Sequence, residues 1–183
     1  MRGHVFIATS LDGFIARENG ALDWLPGSDG AAEQTGEDFG YQAFMDSIDV
    51  LVMGRNTFEM VLSFGSWPYG EKRVIVLSSK SLTLPDHLPD SVESRCSTPA
   101  DLFQSLSEEG HQSAYIDGGN TIQRFLAAGL IDEMIITRIP ILIGQGISLF
   151  GPLENDIQVQ HLETHSFENG FTQSRYSLHQ TKA

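Results

Sequence analysis

The strongest constraint in this sequence is a repeated junction. An apolar run too short for a helix passes straight into glycine or small polar residues, and a helical pattern often follows. Residues 49–58 read DVLVMGRNTF, residues 113–122 read SAYIDGGNTI, and residues 73–80 read RVIVLSSK. A continuous apolar run suits a strand buried on both faces, and the amphipathic segments between runs supply the covering layers. With HVFIAT at residues 4–9 as a first buried strand, the pattern predicts a central sheet flanked by helices.

The remaining elements follow from periodicity and breakers. A helix is expected over residues 37–47, because Tyr41, Phe44, Met45 and Ile48 fall at i, i+3, i+4 and i+7. Further helices are expected over 56–63, over 98–109 behind Thr98-Pro99, and over 120–128 with Ile122, Phe125 and Leu126 on one face. A strand over 132–143 bends near Pro140, and a weaker strand over 92–95 interrupts the proline-rich segment 82–99. Residues 10–23 read as loop or short extended chain, and 26–36 as a mobile loop rich in Gly, Ser and Asp. Segments 158–167 and 171–179 form a hairpin around Glu168-Asn169-Gly170. At 183 residues, this is one α/β domain spanning 1–183.

Composition excludes several roles. The net charge of −13 opposes nucleic acid and anionic membranes, so any phosphate site must be local, built from backbone N–H groups and a few placed cations. No apolar run approaches the ~18 residues of a membrane helix. The apolar patch near the N-terminus is too short for a signal sequence, and the chain reads as cytoplasmic. Cys96 is the one cysteine, so neither an intrachain disulfide nor a Cys-rich zinc site is expected, and no metal site is assigned.

The glycine junctions point to a ligand. At Gly54-Arg55-Asn56-Thr57, glycine permits close backbone approach, the helix start offers N–H groups and the positive end of its dipole, and Arg55 is a multi-donor cation suited to phosphate. Gly118-Gly119-Asn120-Thr121 repeats that logic, and Ser78-Ser79-Lys80 ends a third strand with two hydroxyls and a cation. The competing reading makes these ordinary turns with solvated polar side chains. Two such crossings in one small domain favour a bound phosphodiester or dinucleotide, although the G-x-G-x-x-G fingerprint is absent.

In order and spacing, VLVMGRNTFE, VIVLSSK and YIDGGNTIQRFL resemble the cofactor-binding blocks of the dihydrofolate reductase superfamily. The block GGNTIQRFLAAGLIDEMIITRIPILIGQGISLF and the early Ser10-Leu11-Asp12-Gly13 more closely resemble the reductase domain of bacterial riboflavin biosynthesis, the RibD C-terminal domain. The resemblance implies a dihydrofolate-reductase-like three-layer fold, with a mainly parallel mixed sheet and a C-terminal antiparallel hairpin. It implies NADPH as cofactor, with Ala8 and Ile15 near the nicotinamide and Gly54, Arg55, Asn56 and Thr57 at the pyrophosphate and 2′-phosphate. Leu77, Ser78 and Ser79 would flank the adenosine, and Gly118, Gly119, Asn120, Thr121 and Ile122 the second phosphate face. Arg55, with Lys80, is the reason to expect NADPH over NADH, because an ionised phosphate gains charge-assisted hydrogen bonds. Relatives of this stand-alone type pair, which implies a homodimer.

The same resemblance makes Asp38 the acid that grips the substrate, supported by Thr137. On spacing, Asp38 shares the apolar helix face of Tyr41 and Met45; the alternative is a capping box with Thr35. Asp12 is a second candidate acid or a turn residue, and Trp24 covers the substrate or packs. The segment 21–26 reads ALDWLP, departing from the Pro-Trp order of true dihydrofolate reductases. Arg17 and Arg138 are the candidates for a substrate phosphate. The expected activity is NADPH-dependent reduction of a pterin- or pyrimidine-like C=N or C=O group. The alternatives are the ribosylamino-pyrimidine phosphate reductase of the riboflavin pathway and a non-catalytic dinucleotide-binding sensor.

Overall fold

The computed structural model describes residues 1–26 and 38–178. Its strands are β1 (Arg2–Ser10), β2 (Phe14–Ala16), β3 (Val50–Gly54), β4 (Arg73–Leu77), β5 (Val92–Arg95), β6 (Ser113–Asp117), β7 (Glu133–Ile139), β8 (Ile147–Ser148), β9 (Val159–Ser166) and β10 (Thr172–Leu178). Its helices are α1 (Tyr41–Asp46), α2 (Arg55–Ser63), α3 (Pro99–Glu108) and α4 (Gly119–Ala127). One eight-stranded sheet runs in the order β5-β4-β3-β6-β1-β7-β10-β9. It is parallel from β5 to β7, and β10 and β9 close it as an antiparallel hairpin. The short β2 and β8 pair separately.

Alternation along β3 and β4 explains the unbroken apolar runs. Val50, Val52, Ile75 and Leu77 point to one face, where Leu102, Phe103 and Leu106 of α3 and Ile122, Phe125 and Leu126 of α4 cover them. Leu51, Met53, Val74 and Val76 point to the other, against Phe44 and Met45 of α1, Ile48, and Phe58 of α2. Successive side chains of a strand alternate sides, so a strand buried on both faces has no polar position to spare. The three-layer architecture expected from the sequence is the one observed.

Three local expectations change. The first helix is shorter than 37–47: Phe39 (φ 55) and Gly40 (φ 80) hold the left-handed conformation, and helix begins only at Tyr41. Asp38 therefore precedes the helix and is exposed, off the apolar face assigned to it. The strand expected over 132–143 stops at Ile139, before Pro140, and β8 carried no sequence signal at two residues long. The loop expected over 26–36 lies, apart from Pro26, outside the described residues.

Neighbouring strands β3 and β6 run in parallel register, with Met53 opposite Asp117, so their glycine junctions lie side by side. They interlock. A Cβ on Gly54 would sit 2.8 Å from Thr121 Oγ1, and a Cβ on Gly118 (φ 89) would collide with Thr57 Oγ1. Gly54 itself has ordinary extended angles (φ −82, ψ 163), so its requirement for glycine is purely steric. Gly54→Ala is expected to cost roughly 1–3 kcal/mol in urea unfolding. Adding Thr121→Ala to that variant should recover part of the loss, and strict additivity in the double-mutant cycle would show that the contact does not bear on stability.

Candidate active site

Both interlocked junctions open into one cleft of about 1490 Å³. Its walls include Gly54, Arg55, Asn56 and Thr57 from the β3–α2 junction, Leu77, Ser78, Ser79 and Lys80 after β4, and Gly118, Gly119, Asn120 and Thr121 from the β6–α4 junction. Ala8 of β1 and Ile15 of β2 complete it. Distance along the chain would not bring the three junctions together; the parallel register does, because β3, β4 and β6 end at the same edge of the sheet. Ile122 is the exception among the residues assigned to the cofactor. It is fully buried in the core beside Ile116 and Phe125 and does not line the cleft, because the turn of α4 carries its side chain inward.

The cleft fits a dinucleotide on its own chemistry. Neither α2 nor α4 has a side-chain N-cap; glycine precedes both, leaving the first N–H groups of each helix for another acceptor. Three cations line the cleft: Arg55, Lys80 and Arg124. Arg55 is held by Glu59 one turn along its helix, Nε to Oε1 at 2.7 Å, with both side chains about half exposed. Ser78 shapes the turn after β4, donating to the Lys80 carbonyl at 2.7 Å. Over Gly119, Ile15 Cδ1 and Ile147 Cγ2 lie 2.9 and 3.2 Å from where a Cβ would be, so the β2–β8 pair folds over this junction.

A second pocket of about 940 Å³ adjoins the first, and Ala8, Leu22, Leu25, Ser63 and Phe64 are walls of both. Asp38 and Thr137, the two residues proposed for substrate contact, both line it. They share no hydrogen bond among those of the described residues. Asp38 accepts from the Gly40 N–H at 2.9 Å and the Gln42 N–H at 3.0 Å, capping the start of α1, and these bonds hold its carboxyl below the usual range. It therefore caps and lines the pocket at once. Thr137 is buried and accepts from Gln173 Nε2 at 3.0 Å; the same amide reaches the Phe39 carbonyl, also at 3.0 Å. Phe39 is fixed further by its ring, 4.9 Å from Phe167 and 5.5 Å from Phe171 between centroids. Such multiple restraint is what a non-glycine residue with positive φ requires. Thr137 thus supports the backbone next to Asp38 through Gln173, a residue that carried no sequence signal.

Asp12 proves to be a clamp. Its carboxylate accepts from Ser10 Oγ at 2.6 Å and from the Gly144 N–H at 2.8 Å, tying the β1–β2 turn to the loop after β7, and it lines neither pocket. Trp24 is buried against Ile139 and Phe171 beneath the second pocket, and its Nε1 has no partner among the described residues. Arg17 is held by Asp23 through two bonds of 2.6 and 2.9 Å.

The acid that sequence reasoning left unassigned is Asp117. It ends β6, lines the cleft and receives the Gly118 N–H at 2.8 Å. Burial pushes its pKa up to about 6, against the opposing pull of that N–H and of the Tyr115 hydroxyl. Around it stand Tyr41, pushed up to about 12 by burial and then by the Asp117 charge, and Tyr69 and Tyr115, raised by the same causes. The available signal was its position, an acid at the C-terminal end of a buried strand immediately before two glycines.

The pattern that defines the RibD C-terminal domain family matches residues 3–172, and the chain belongs to that family. It is 34% identical over 166 residues to the uncharacterized protein YwjB of Bacillus subtilis, covering 89% of this chain and 90% of that one. A solved protein of Shewanella sp. PV-4, with the provisional name of riboflavin biosynthesis protein, superposes with a TM-score of 0.90 at 44% identity, over 98% of this chain and 100% of the other. Dihydrofolate reductase from Enterococcus faecalis, solved with NADP(H), superposes with a TM-score of 0.63 at 18% identity, over 97% of this chain and 96% of that enzyme. That likeness is one of fold, which is dihydrofolate-reductase-like.

Because Asp117 has a folded pKa above its unfolded value, the native state holds an extra proton between about pH 4 and pH 6 and loses stability as the pH rises through that window. Asp117→Asn removes the buried charge. Its melting temperature should match that of wild type near the lower limit and exceed it above the upper one, by the equivalent of about 1–3 kcal/mol. A constant difference across the range would mean that Asp117 titrates normally.

Proposed function

We propose that the protein is an NADPH-dependent reductase that transfers a hydride to a C=N or C=O group of a pterin- or pyrimidine-like small molecule. The observation that carries this reading is the contiguity of the two pockets. A long cleft with two uncapped helix starts and three cations meets a smaller aromatic pocket at Ala8. The NADP(H)-bound Enterococcus enzyme of the same fold supports the choice of cofactor. Gly54, Asn56, Thr57, Gly118, Gly119, Asn120 and Thr121 would receive the pyrophosphate on backbone N–H groups and hydroxyls. Arg55 and Lys80 would read the 2′-phosphate. When bound, NADPH supplies the hydride.

The chain's own residues supply position. Phe6, Phe39, Tyr41, Phe64 and Phe171 form aromatic walls that orient a flat ring and exclude water. Asp38, ionised, accepts from ring or amino N–H groups at the rim. Reduction of C=N also consumes a proton; Asp117, its pKa pushed up to about 6 by burial, lines the cofactor cleft and not the ring pocket.

A second copy of the chain is the proposed partner. β9 ends the sheet with all eight residues exposed, Val159 and Leu162 to 47% and 45%. A long uncovered edge strand invites pairing. Light scattering should give twice the 20.1 kDa chain mass, with Leu162→Lys shifting it toward the monomer. A monomeric wild type would remove the dimer. Among the described residues, no helix is long and apolar enough to cross a membrane.

For the cofactor, NADPH and NADH are titrated separately, following energy transfer from tryptophan to the nicotinamide. NADPH should bind much more tightly. Arg55→Ala should weaken NADPH by roughly 1.5–3 kcal/mol, about ten- to a hundredfold, and leave NADH nearly unchanged. Equal losses for both would show that Arg55 does not read the 2′-phosphate, and binding of neither would remove the reductase reading.

A further inference from the structure

The two pockets differ in where cations stand. The large cleft holds Arg55, Lys80 and Arg124 alongside Glu18, Asp23, Glu59 and Asp117; the second pocket holds aromatic rings, hydroxyls of Ser63, Ser66 and Thr137 and, among the described residues, one charged group, Asp38. Of the chain's eleven lysines and arginines, Lys182 lies outside the described residues, and none of the other ten lines this pocket. Neither cation expected to hold a substrate phosphate lines this pocket. Arg17 pairs with Asp23 and lines neither pocket. Arg138 lies between Thr137 and Ile139, which both line the pocket, so strand alternation turns it to the opposite side of the sheet, where it is exposed. The chain joining two wall residues, Pro26 and Asp38, contains Asp29, Glu33 and Glu37 and neither lysine nor arginine, so it brings no cation wherever it lies.

A phosphate dianion placed here would lose hydration, find no cation and face the Asp38 carboxylate. Burying an unpaired charge is among the costliest things a pocket does. A neutral or protonated nitrogen heterocycle meets the reverse conditions, with flat aromatic walls for stacking, ring faces that attract cations and a carboxylate at the rim. We infer that the second pocket selects a flat nitrogen heterocycle carrying no phosphate and rejects the phosphorylated form of the same molecule. This rests on the reductase reading for what happens to the ring, and it argues against a ribosylamino-pyrimidine phosphate as the substrate.

The test compares molecules that differ only in a phosphate ester: neopterin with neopterin phosphate, and 5-amino-6-ribosylaminouracil with its 5′-phosphate. Binding is followed by the fluorescence of Trp24, which packs against two walls of this pocket, Ile139 and Phe171. Titrations are run with and without saturating NADP⁺, so charge selection is read whichever way the cofactor titration falls. At least one unphosphorylated molecule should bind, and at least tenfold more tightly than its phosphate. Ser66→Arg, which places a cation in the wall, should narrow that gap severalfold by strengthening the phosphorylated partner. Equal or tighter binding of the phosphates to wild type overturns the inference and leaves the reductase reading intact. Failure of all four molecules to bind also overturns it. Loss of NADPH binding alone overturns the reductase reading and leaves phosphate rejection standing on its own titrations.

Discussion

Two glycine–threonine contacts organise this molecule. Gly54 lies against Thr121 and Gly118 against Thr57, each glycine making room for the other junction's threonine. The contacts hold the starts of α2 and α4 side by side at the ends of two neighbouring parallel strands. Two helix starts so placed, each preceded by glycine, create one extended patch of free N–H groups. In a chain of net charge −13, that patch and three lining cations are what would let an anion bind locally against the repulsion of the overall field.

The rest of the site divides its labour by polarity. The cleft carries three cations beside its two helix starts, whereas the adjoining pocket is aromatic with one carboxylate among the described residues. Asp117 stands at the cleft with three tyrosines around it, and burial strengthens its hold on a proton. Each feature is costly in isolation. A buried acid, a left-handed Phe39 and two uncapped helices are tolerable because the sheet's core on both faces supplies stability elsewhere.

Much of this was legible in the chain. The runs VLVMG, RVIVL and SAYID have no polar alternation, and a strand without alternation must be covered twice. Of the fourteen residues the resemblance assigns to the cofactor, all but Ile122 line the cleft. Ile122 misled because adjacency in sequence to Thr121 is not adjacency in space; on a helix, the next residue lies about a hundred degrees round. Asp38 misled for a related reason. The helical spacing to Tyr41 was real, but Phe39 and Gly40 in left-handed conformation break the helix before Asp38 can join its apolar face.

By itself, the sequence determined the layer order, the parallel sheet and the places where a dinucleotide would touch the backbone, because these depend on local periodicity and on glycine. Tertiary structure decided which acid has its pKa raised and which charges face the second pocket. Phe6, Phe39, Phe64, Thr137 and Phe171 reach that pocket from distant parts of the chain, and Asp117 acquires its proton affinity from burial by surroundings its own segment does not contain. Local pattern sets backbone geometry, but desolvation and the sum of neighbouring charges are properties of the packed surroundings.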